Sequence, residues 1–244
     1  MKDREEKEKL LAEALHLFRV EEIADRRPSE ISGGQAQRAA LARILVSRPK
    51  LLMLDEPFSA LDSHLRVRLQ MELRDTLRKY SGTTLMVTHS RDEAYHMCGA
   101  ITVADDGIFA APRPTKALFA DPESFAAAQL TGCKNIAKAR KTGEYEVQVP
   151  AWNVRFTTAC PVRDDLAGVA FRAHYVNPRT VKNQYPVTFV GELEEPFEWV
   201  LLYRYYGQDT GQEPLWWRLP KDKRPQVLPQ SLGLAPANVL LLYR

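Results

Sequence analysis

The chain has 244 residues, 45% of them hydrophobic, which is the size and composition of a globular protein with one large domain or two small ones. Its 34 basic and 31 acidic residues give a formal net charge of +3 without a long run of either sign, so charge offers no argument for a nucleic-acid partner, and we expect none. Cys98, Cys133 and Cys160 lie far apart, which predicts reduced thiols, and no stretch approaches the ~20 apolar residues of a membrane span.

The opening segment has apolar residues at helical spacing from Leu10 to Phe18, which predicts an amphipathic helix. After the glycine-rich segment at residues 32–35 and the helix predicted at Ala36–Val46, the next regular element is Leu51–Leu54. This unbroken apolar run is typical of a parallel strand that is covered on both faces. A helix capped by Asp62 or Ser63 should follow. Its apolar stripe comprises Leu65, Leu69, Leu73 and Leu77.

Two further strands are predicted at Thr83–Thr88 and Ala100–Ala104, with a short helix at Asp92–Met97 between them. The order strand, helix, strand, helix, strand predicts a parallel, right-handed α/β sheet. Beyond about Asn135 the chain changes character, because all four tryptophans and several short β-type segments lie there. We therefore expect a separate small all-β domain.

Ser32-Gly33-Gly34-Gln35 stands directly before Ala36–Val46, whose composition favours a helix. Glycines let the backbone approach a ligand closely, and a helix start offers free N–H groups to phosphate oxygens. The alternative is an ordinary glycine turn that caps a helix.

Three polar residues follow the predicted strands. Asp55 ends the first strand, where a carboxylate could bind Mg²⁺, and Glu56 beside it could orient or deprotonate an attacking water. His89 follows the next strand, where its imidazole could donate to a terminal phosphate. A solvated acidic pair and a structural histidine are the alternatives.

These motifs resemble the ATP-binding cassette (ABC) ATPases. Ile31–Gln35 (ISGGQ) is similar to their signature motif, Leu51–Glu56 to the Walker B strand, Ser59–Asp62 (SALD) to the D-loop, and His89 to the switch histidine. The resemblance covers about residues 10–129. It implies ATP and Mg²⁺ as cofactors, with Asp55 on the metal and with Glu56 and His89 as catalytic residues.

The same resemblance implies a head-to-tail dimer with a second ATPase subunit. Ser32, Gly33, Gly34 and Gln35 would then contact the nucleotide of the other subunit, while Ser59 and Asp62 would lie at the dimer seam. Transmembrane permease subunits are further expected partners, so the subunit should be cytoplasmic and peripheral on the inner face of the cell membrane. The 244 residues contain no G-x-x-x-x-G-K-[ST] motif, so an N-terminal portion bearing this P-loop is an additional expected partner.

The C-terminal part resembles the small β-barrel of oxyanion importers, above all molybdate importers. Leu130–Ala137 (LTGCKNIA) and Ala159–Val176 carry this second resemblance. The expected fold class is thus α/β, a partial P-loop NTPase-like parallel sheet with helices, followed by a TOBE/OB-like all-β barrel. The expected domains are residues 1–134 and 135–244.

The expected function is that of the C-terminal part of an ATP-hydrolysing importer subunit for molybdate or a related oxyanion. A non-catalytic module for oxyanion sensing or dimerisation is the alternative. A DNA-repair or chromosome-structuring ATPase would share the motifs, but no coiled-coil heptads support it.

Overall fold

The computed structural model describes residues 2–47, 49–59, 61, 63–79 and 82–244 of the chain. The chain is divided into two compact units, residues 1–99 and residues 100–244. Within the described residues, none of the helices combines the length and the apolar composition that a bilayer crossing requires.

The first unit alternates helices with a small sheet. Its elements are α1 (Lys2–Phe18), α2 (Gly33–Val46), β1 (Leu51–Asp55), α3 (Ser63–Lys79), β2 (Thr83–Val87) and α4 (Arg91–Met97), with 3₁₀ turns at Glu21–Ile23 and Pro28–Glu30.

The predicted helices of this unit are present, and their apolar stripes form its core. Ala14 and Phe18 of α1 are buried, as are Leu69 and Leu73 of α3. They pack in one cluster with residues of α2 and β1, among them Leu41 and Leu52. Burial of these stripes, rather than helix propensity alone, stabilises the helices.

Strands β1 and β2 pair in parallel, with Leu51 opposite Thr83 and Asp55 opposite Val87. The prediction that β1 is covered on both faces is wrong. Leu52 and Leu54 are buried, but Leu51 and Met53 on the other face are 54% and 64% exposed. No described element of this unit packs over that second face.

The third parallel strand that we predicted is also absent. Ala100–Ile101 (β3) instead pairs antiparallel with Arg113–Pro114 (β6). Ala104–Asp105 (β4) pairs with Ile108–Phe109 (β5) in a separate hairpin. Its two turn residues, Asp106 and Gly107, have positive φ angles, the geometry of the tight turns that favour such hairpins.

The second unit begins with these short strands and continues as two helices and ten strands. The helices are α5 (Thr115–Ala120) and α6 (Phe125–Leu130). The strands are β7 (Asn135–Lys138), β8 (Arg140–Gly143), β9 (Glu146–Val149), β10 (Val154–Thr157), β11 (Leu166–Phe171), β12 (Tyr185–Glu194), β13 (Glu198–Tyr205), β14 (Leu215–Pro220), β15 (Ser231–Leu232) and β16 (Leu240–Tyr243), with 3₁₀ turns at Pro150–Trp152, Ala173–Tyr175, Lys221–Lys223 and Pro236–Asn238.

The strands from β7 onward form three antiparallel sheets. Their orders are β10-β9-β8, β16-β11-β7 and β14-β13-β12-β15. The inward side chains of all three sheets share one core, which includes Trp152 and Trp217. The expected all-β region is therefore present, but the hydrogen-bonded pairing of its strands does not show a closed barrel.

The boundary between the units lies at residues 99 and 100, not at 134 and 135 as the sequence suggested. The reason is that residues 100–134 pack with the β-sheets. Phe125 and Ala128 of α6 contact a cluster with Ala170 and Leu242. The Arg172 guanidinium also donates to the backbone carbonyls of Phe119 and Thr131.

Candidate functional site

The segment Ser32–Gln35 forms the start of α2, where two side chains cap the helix reciprocally. The Ser32 N–H donates to Gln35 Oε1 at 2.8 Å, and the Gln35 N–H donates to Ser32 Oγ at 3.3 Å. The first intrahelical bond runs from the Ala36 N–H to the Ser32 carbonyl at 2.9 Å. This is the capping-box arrangement, and it fixes the direction in which α2 begins.

Capping leaves the N–H groups of Gly33 and Gly34 without a partner among the described residues. Ser32 and Gly33 are exposed, and a side chain added at Gly33 would meet open space. Free N–H groups at the positive end of a helix suit an anionic oxygen. The segment can therefore receive a phosphate group from outside this unit.

Asp55 and Glu56 follow one another at the carboxyl end of β1. The exposed Asp55 is the last strand residue, and the Glu56 N–H donates to the Val87 carbonyl of β2 at 2.9 Å. Glu56 has a φ of +47°, a left-handed conformation that costs a non-glycine residue on the order of 1 kcal/mol or more. Pro57 follows it and makes this backbone still less common, because proline restricts the residue before it.

The structure brings Glu56 and His89 together, 33 positions apart in the sequence. The distance between His89 Nδ1 and Glu56 Oε1 is 2.6 Å. An ionised carboxylate only accepts hydrogen bonds, so Nδ1 is the donor and the Nε2 atom is left for another partner. The His89 side chain is 83% exposed and that of Glu56 is 34% exposed, so a ligand can reach both.

Buried Glu93 holds the segment that carries His89. Its carboxylate accepts from Thr88 Oγ1 at 2.6 Å and from Gln70 Nε2 of α3 at 3.4 Å. Ser90 caps α4 by accepting from the Glu93 N–H at 3.4 Å. The imidazole thus extends from a backbone that is fixed on both sides.

A hydrogen bond joins α2 to the Glu56 turn. Gln37 Nε2 donates to the Glu56 carbonyl at 3.2 Å, and the same carbonyl accepts from Ser59 Oγ at 2.9 Å and the Ser59 N–H at 3.1 Å. Gln37 was not among the residues predicted from the sequence. The available signal was its spacing, because it lies one helical turn before the buried Leu41 and hence on the covered side of α2.

The remaining predicted residues stay apart from this pair. Among the described residues, no hydrogen bond or ion pair joins the segment 32–35 to Asp55, Glu56 or His89. Ser59 is exposed, and within the part of the chain that the structure describes its hydrogen bonds stay inside its own turn. Asp62, the other residue that we expected at the dimer seam, lies outside the described residues.

The donor set at β1 fits Mg²⁺ only in part. The described residues contain no group of three or more His, Cys, Asp or Glu side chains that could enclose a metal. Mg²⁺ is commonly bound by one or two carboxylates together with waters and phosphate oxygens, and the exposed Asp55 can supply one such ligand. The free N–H groups of Gly33 and Gly34 likewise fit a nucleotide phosphate.

Comparison with known proteins gives a consistent result for the region that carries these motifs. Residues 1–59 match the model of the ABC transporter family. This part of the chain resembles the ABC ATPases. This match supports the family resemblance on which the expected ATPase activity rests.

Curated ABC relatives extend the likeness. The chain is 38% identical to the spermidine/putrescine import ATP-binding protein PotA of Lawsonia intracellularis over 60% of this chain and 41% of that protein. It is 43% identical to the putrescine transport ATP-binding protein PotG of Escherichia coli K12 over 51% of this chain and 33% of that protein. The chain therefore spans less than half the length of these relatives.

Among solved structures, the chain aligns with a dimeric structure of a post-hydrolysis state of the ATP-binding cassette MJ0796 bound to ADP and Pi. The identity is 30%, the TM-score is 0.41, and the alignment covers 46% of this chain and 48% of that one. The ABC relatives named above are polyamine transport proteins. The expected molybdate specificity and TOBE domain are thus not supported.

Proposed function

We propose that this chain is part of the ATP-hydrolysing subunit of an ABC importer. The observation that carries the proposal is the 2.6 Å contact between Glu56 and His89 at the carboxyl ends of β1 and β2, beside Asp55. Ligands of open α/β sheets bind at this edge. The match of residues 1–59 to the ABC transporter family supports the assignment.

In this proposal each part of the site has a defined role. Glu56 orients and deprotonates the attacking water. His89, when both ring nitrogens carry a proton, donates from Nδ1 to the Glu56 carboxylate and from Nε2 to the terminal phosphate. Asp55 is the protein ligand of Mg²⁺, which when bound neutralises charge on the phosphates. Ser32, Gly33, Gly34 and Gln35 bind the phosphates of nucleotide held by a second ATPase subunit.

We propose three partners for this chain: a P-loop portion, transmembrane permease subunits and a second ATPase subunit. The sequence holds no P-loop, so the phosphates of ATP bound beside Asp55 would be anchored by a P-loop portion outside these 244 residues. Transmembrane permease subunits complete the importer, which puts the subunit on the inner face of the cell membrane. Ser59 and Asp62 belong to the proposed seam between the two ATPase subunits.

For the solute, we propose a polyamine. PotA and PotG, the relatives described above, are named as spermidine/putrescine and putrescine transport proteins. None of the comparisons favours the non-catalytic oxyanion module that the sequence left open.

The proposal is tested by reconstitution with the N-terminal part of the Lawsonia intracellularis PotA relative, which by resemblance should carry a P-loop. The mixture should hydrolyse ATP, whereas either polypeptide alone should not. Isothermal titration of the 244-residue chain alone with Mg-ATP should show no saturable micromolar site. Tight one-to-one binding by the chain alone, or a mixture without turnover, would contradict the proposal.

The solute is tested in the same mixture after addition of the matching permease subunits in vesicles. Spermidine with its binding protein should stimulate ATP turnover, while molybdate should not. Stimulation by molybdate alone would refute the polyamine assignment and leave the ATPase assignment intact.

A further inference from the structure

Gln37 lies on α2, two positions after the capping residue Gln35, and its side chain is partly buried. Its Nε2 atom donates to the Glu56 carbonyl at 3.2 Å. Its Oε1 atom is buried and has no hydrogen-bond partner among the described residues. The amide group is therefore used here as a donor to the Glu56 turn.

The Glu56 backbone requires such support. Its φ of +47° is unfavourable for a residue with a side chain, and a conformation of this kind persists only where surrounding contacts hold it. The bonds from Ser59 to the Glu56 carbonyl are local, because Ser59 is only three positions further along the same turn. Gln37 contributes the bond to this carbonyl from a different element.

The orientation of this peptide group determines where the Glu56 side chain points. Rotation of the carbonyl away from Gln37 would change the backbone angles at Glu56 and displace its carboxylate. The carboxylate lies 2.6 Å from His89 Nδ1, so a displacement of about 1 Å would break that hydrogen bond.

We infer that Gln37 is a positioning residue for Glu56, and that it connects the start of α2 to the Glu56–His89 pair. Its catalytic meaning rests on the proposed function, in which Ser32–Gln35 contact the nucleotide of a second subunit. Docking of that nucleotide on the start of α2 would then be transmitted through the Gln37 amide to the Glu56 carbonyl. One subunit's nucleotide would thus influence the geometry of the water-activating carboxylate beside the other nucleotide.

The experiment uses the 244-residue chain and reads the ring signals of His89 by NMR, assigned through His89→Gln. Glu56→Gln supplies the reference shift that follows from loss of the carboxylate. Gln37→Met retains the length of the side chain but removes its N–H donor, and it should shift the His89 ring signals although it does not touch the ring. Arg43→Met, on the exposed part of the same helix, is the control and should leave them unchanged.

Gln37→Leu is a second variant with the same expectation, so the result does not depend on one substitution, and a cooperative melt identifies the folded variants. Unchanged His89 signals in a folded Gln37 variant, while Glu56→Gln moves them, would overturn the inference. It would equally be overturned if Glu56→Gln left the His89 signals in place.

ATP turnover in the reconstituted mixture separates this inference from the proposed function. Gln37→Met should lower kcat between about tenfold and a hundredfold with little change in KM, because it misplaces a reacting group without removing a binding contact. A shift of the His89 signals in a system without any turnover would refute the proposed function while supporting the positioning contact. Normal kcat in the Gln37 variants would refute the positioning role.

Discussion

The Glu56 turn combines strain with function at the level of a single residue. Its left-handed backbone is held by a bond to β2, a bond from α2 and two bonds within the turn, so most of its support comes through the backbone. The side chain is thereby free to meet His89 and a ligand. Substitutions that change only the carboxyl group should leave this turn intact.

Glu56→Gln is therefore expected to separate binding from chemistry in the reconstituted ATPase. The amide preserves the shape but cannot accept a proton, so hydrolysis should fall about 10²–10⁴-fold while ATP binding is retained. Turnover and nucleotide titration on the same preparation provide the measurement. Glu22→Gln, at an exposed position of the 3₁₀ turn Glu21–Ile23, is the matched control and should be neutral. Near-normal turnover in Glu56→Gln would remove Glu56 from the mechanism.

His174 in the second unit provides a test of pH dependence. Partial burial lowers the pKa of its imidazole below the usual 6.5, and neighbouring Arg172 and Arg218 add to this, while Glu198 opposes it. The unfolded chain therefore binds the proton more readily than the folded chain. Stability from this group is present above pH 6.5 and is lost as the pH falls through 6.5 towards the lower folded pKa.

The urea midpoint of the wild type should accordingly fall more between pH 7.5 and pH 5.5 than that of His174→Gln, which lacks the titrating ring. Equal pH dependence in the two proteins would show that His174 is not desolvated in solution.

At the level of the elements, the sequence predicted the helices of the first unit better than its sheet. Apolar residues at helical spacing identify α1 and α3, because the buried stripe is encoded locally. The exposure of Leu51 and Met53 could not be predicted in this way. A continuous apolar run indicates only that a strand is suited to burial on both faces. Whether another element covers the second face of the strand depends on residues distant in the chain.

The candidate site shows the same limit. Asp55, Glu56 and His89 were predicted from their places at strand ends, and the parallel pairing of β1 with β2 explains why Glu56 and His89 meet. The spacing of Gln37 indicates only that it lies on the covered side of α2. Its partner is a turn 19 positions away, which no local pattern encodes. The prediction of a parallel strand at Ala100–Ala104 was wrong because such a short apolar segment suits an antiparallel pair equally well.

Packing between elements of the second unit is tight at Gly233. Its N–H and carbonyl both bond to Asn177, and a Cβ atom added here would lie 2.0 Å from the Thr180 carbonyl oxygen. Gly233→Ala should therefore lower the free energy of unfolding by about 3 kcal/mol, because backbone must move to admit the methyl group. Denaturant unfolding measures this loss.

Gly191→Ala is the control for that substitution. Gly191 lies at the irregularity in the pairing of β12 with β13, and a Cβ atom added there has no heavy atom within 4 Å. The change should stay within about 0.5 kcal/mol. Equal effects at the two glycines would contradict the packing described around Thr180.

At the level of the whole molecule, residues 100–134 belong to the β unit in the structure, although we expected them in the first domain. Ala128 and Cys133 are buried with Ala170 and Leu242, and Phe125 packs against this cluster. Burial raises the pKa of the Cys133 thiol, in keeping with a packed rather than a nucleophilic cysteine. The stability of the β-sheets should therefore depend on α6.

This dependence predicts how two segments behave when each is expressed alone. Residues 100–244 should melt cooperatively, whereas residues 135–244 should melt at a lower temperature or associate. The shorter segment loses the Phe125 and Ala128 contacts and leaves Arg172 without the carbonyls of Phe119 and Thr131. Lost burial of this kind typically costs about 2–5 kcal/mol, and an unsatisfied buried charge adds to that cost. Calorimetry and light scattering on both segments provide the measurement.

Point variants within the longer segment test the same contacts. Phe125→Ala should lower its melting temperature, while Lys116→Ala on the exposed side of α5 should not. Equal melting temperatures for the two segments would show that residues 100–134 are not part of the folded β unit and would restore the boundary at residue 135.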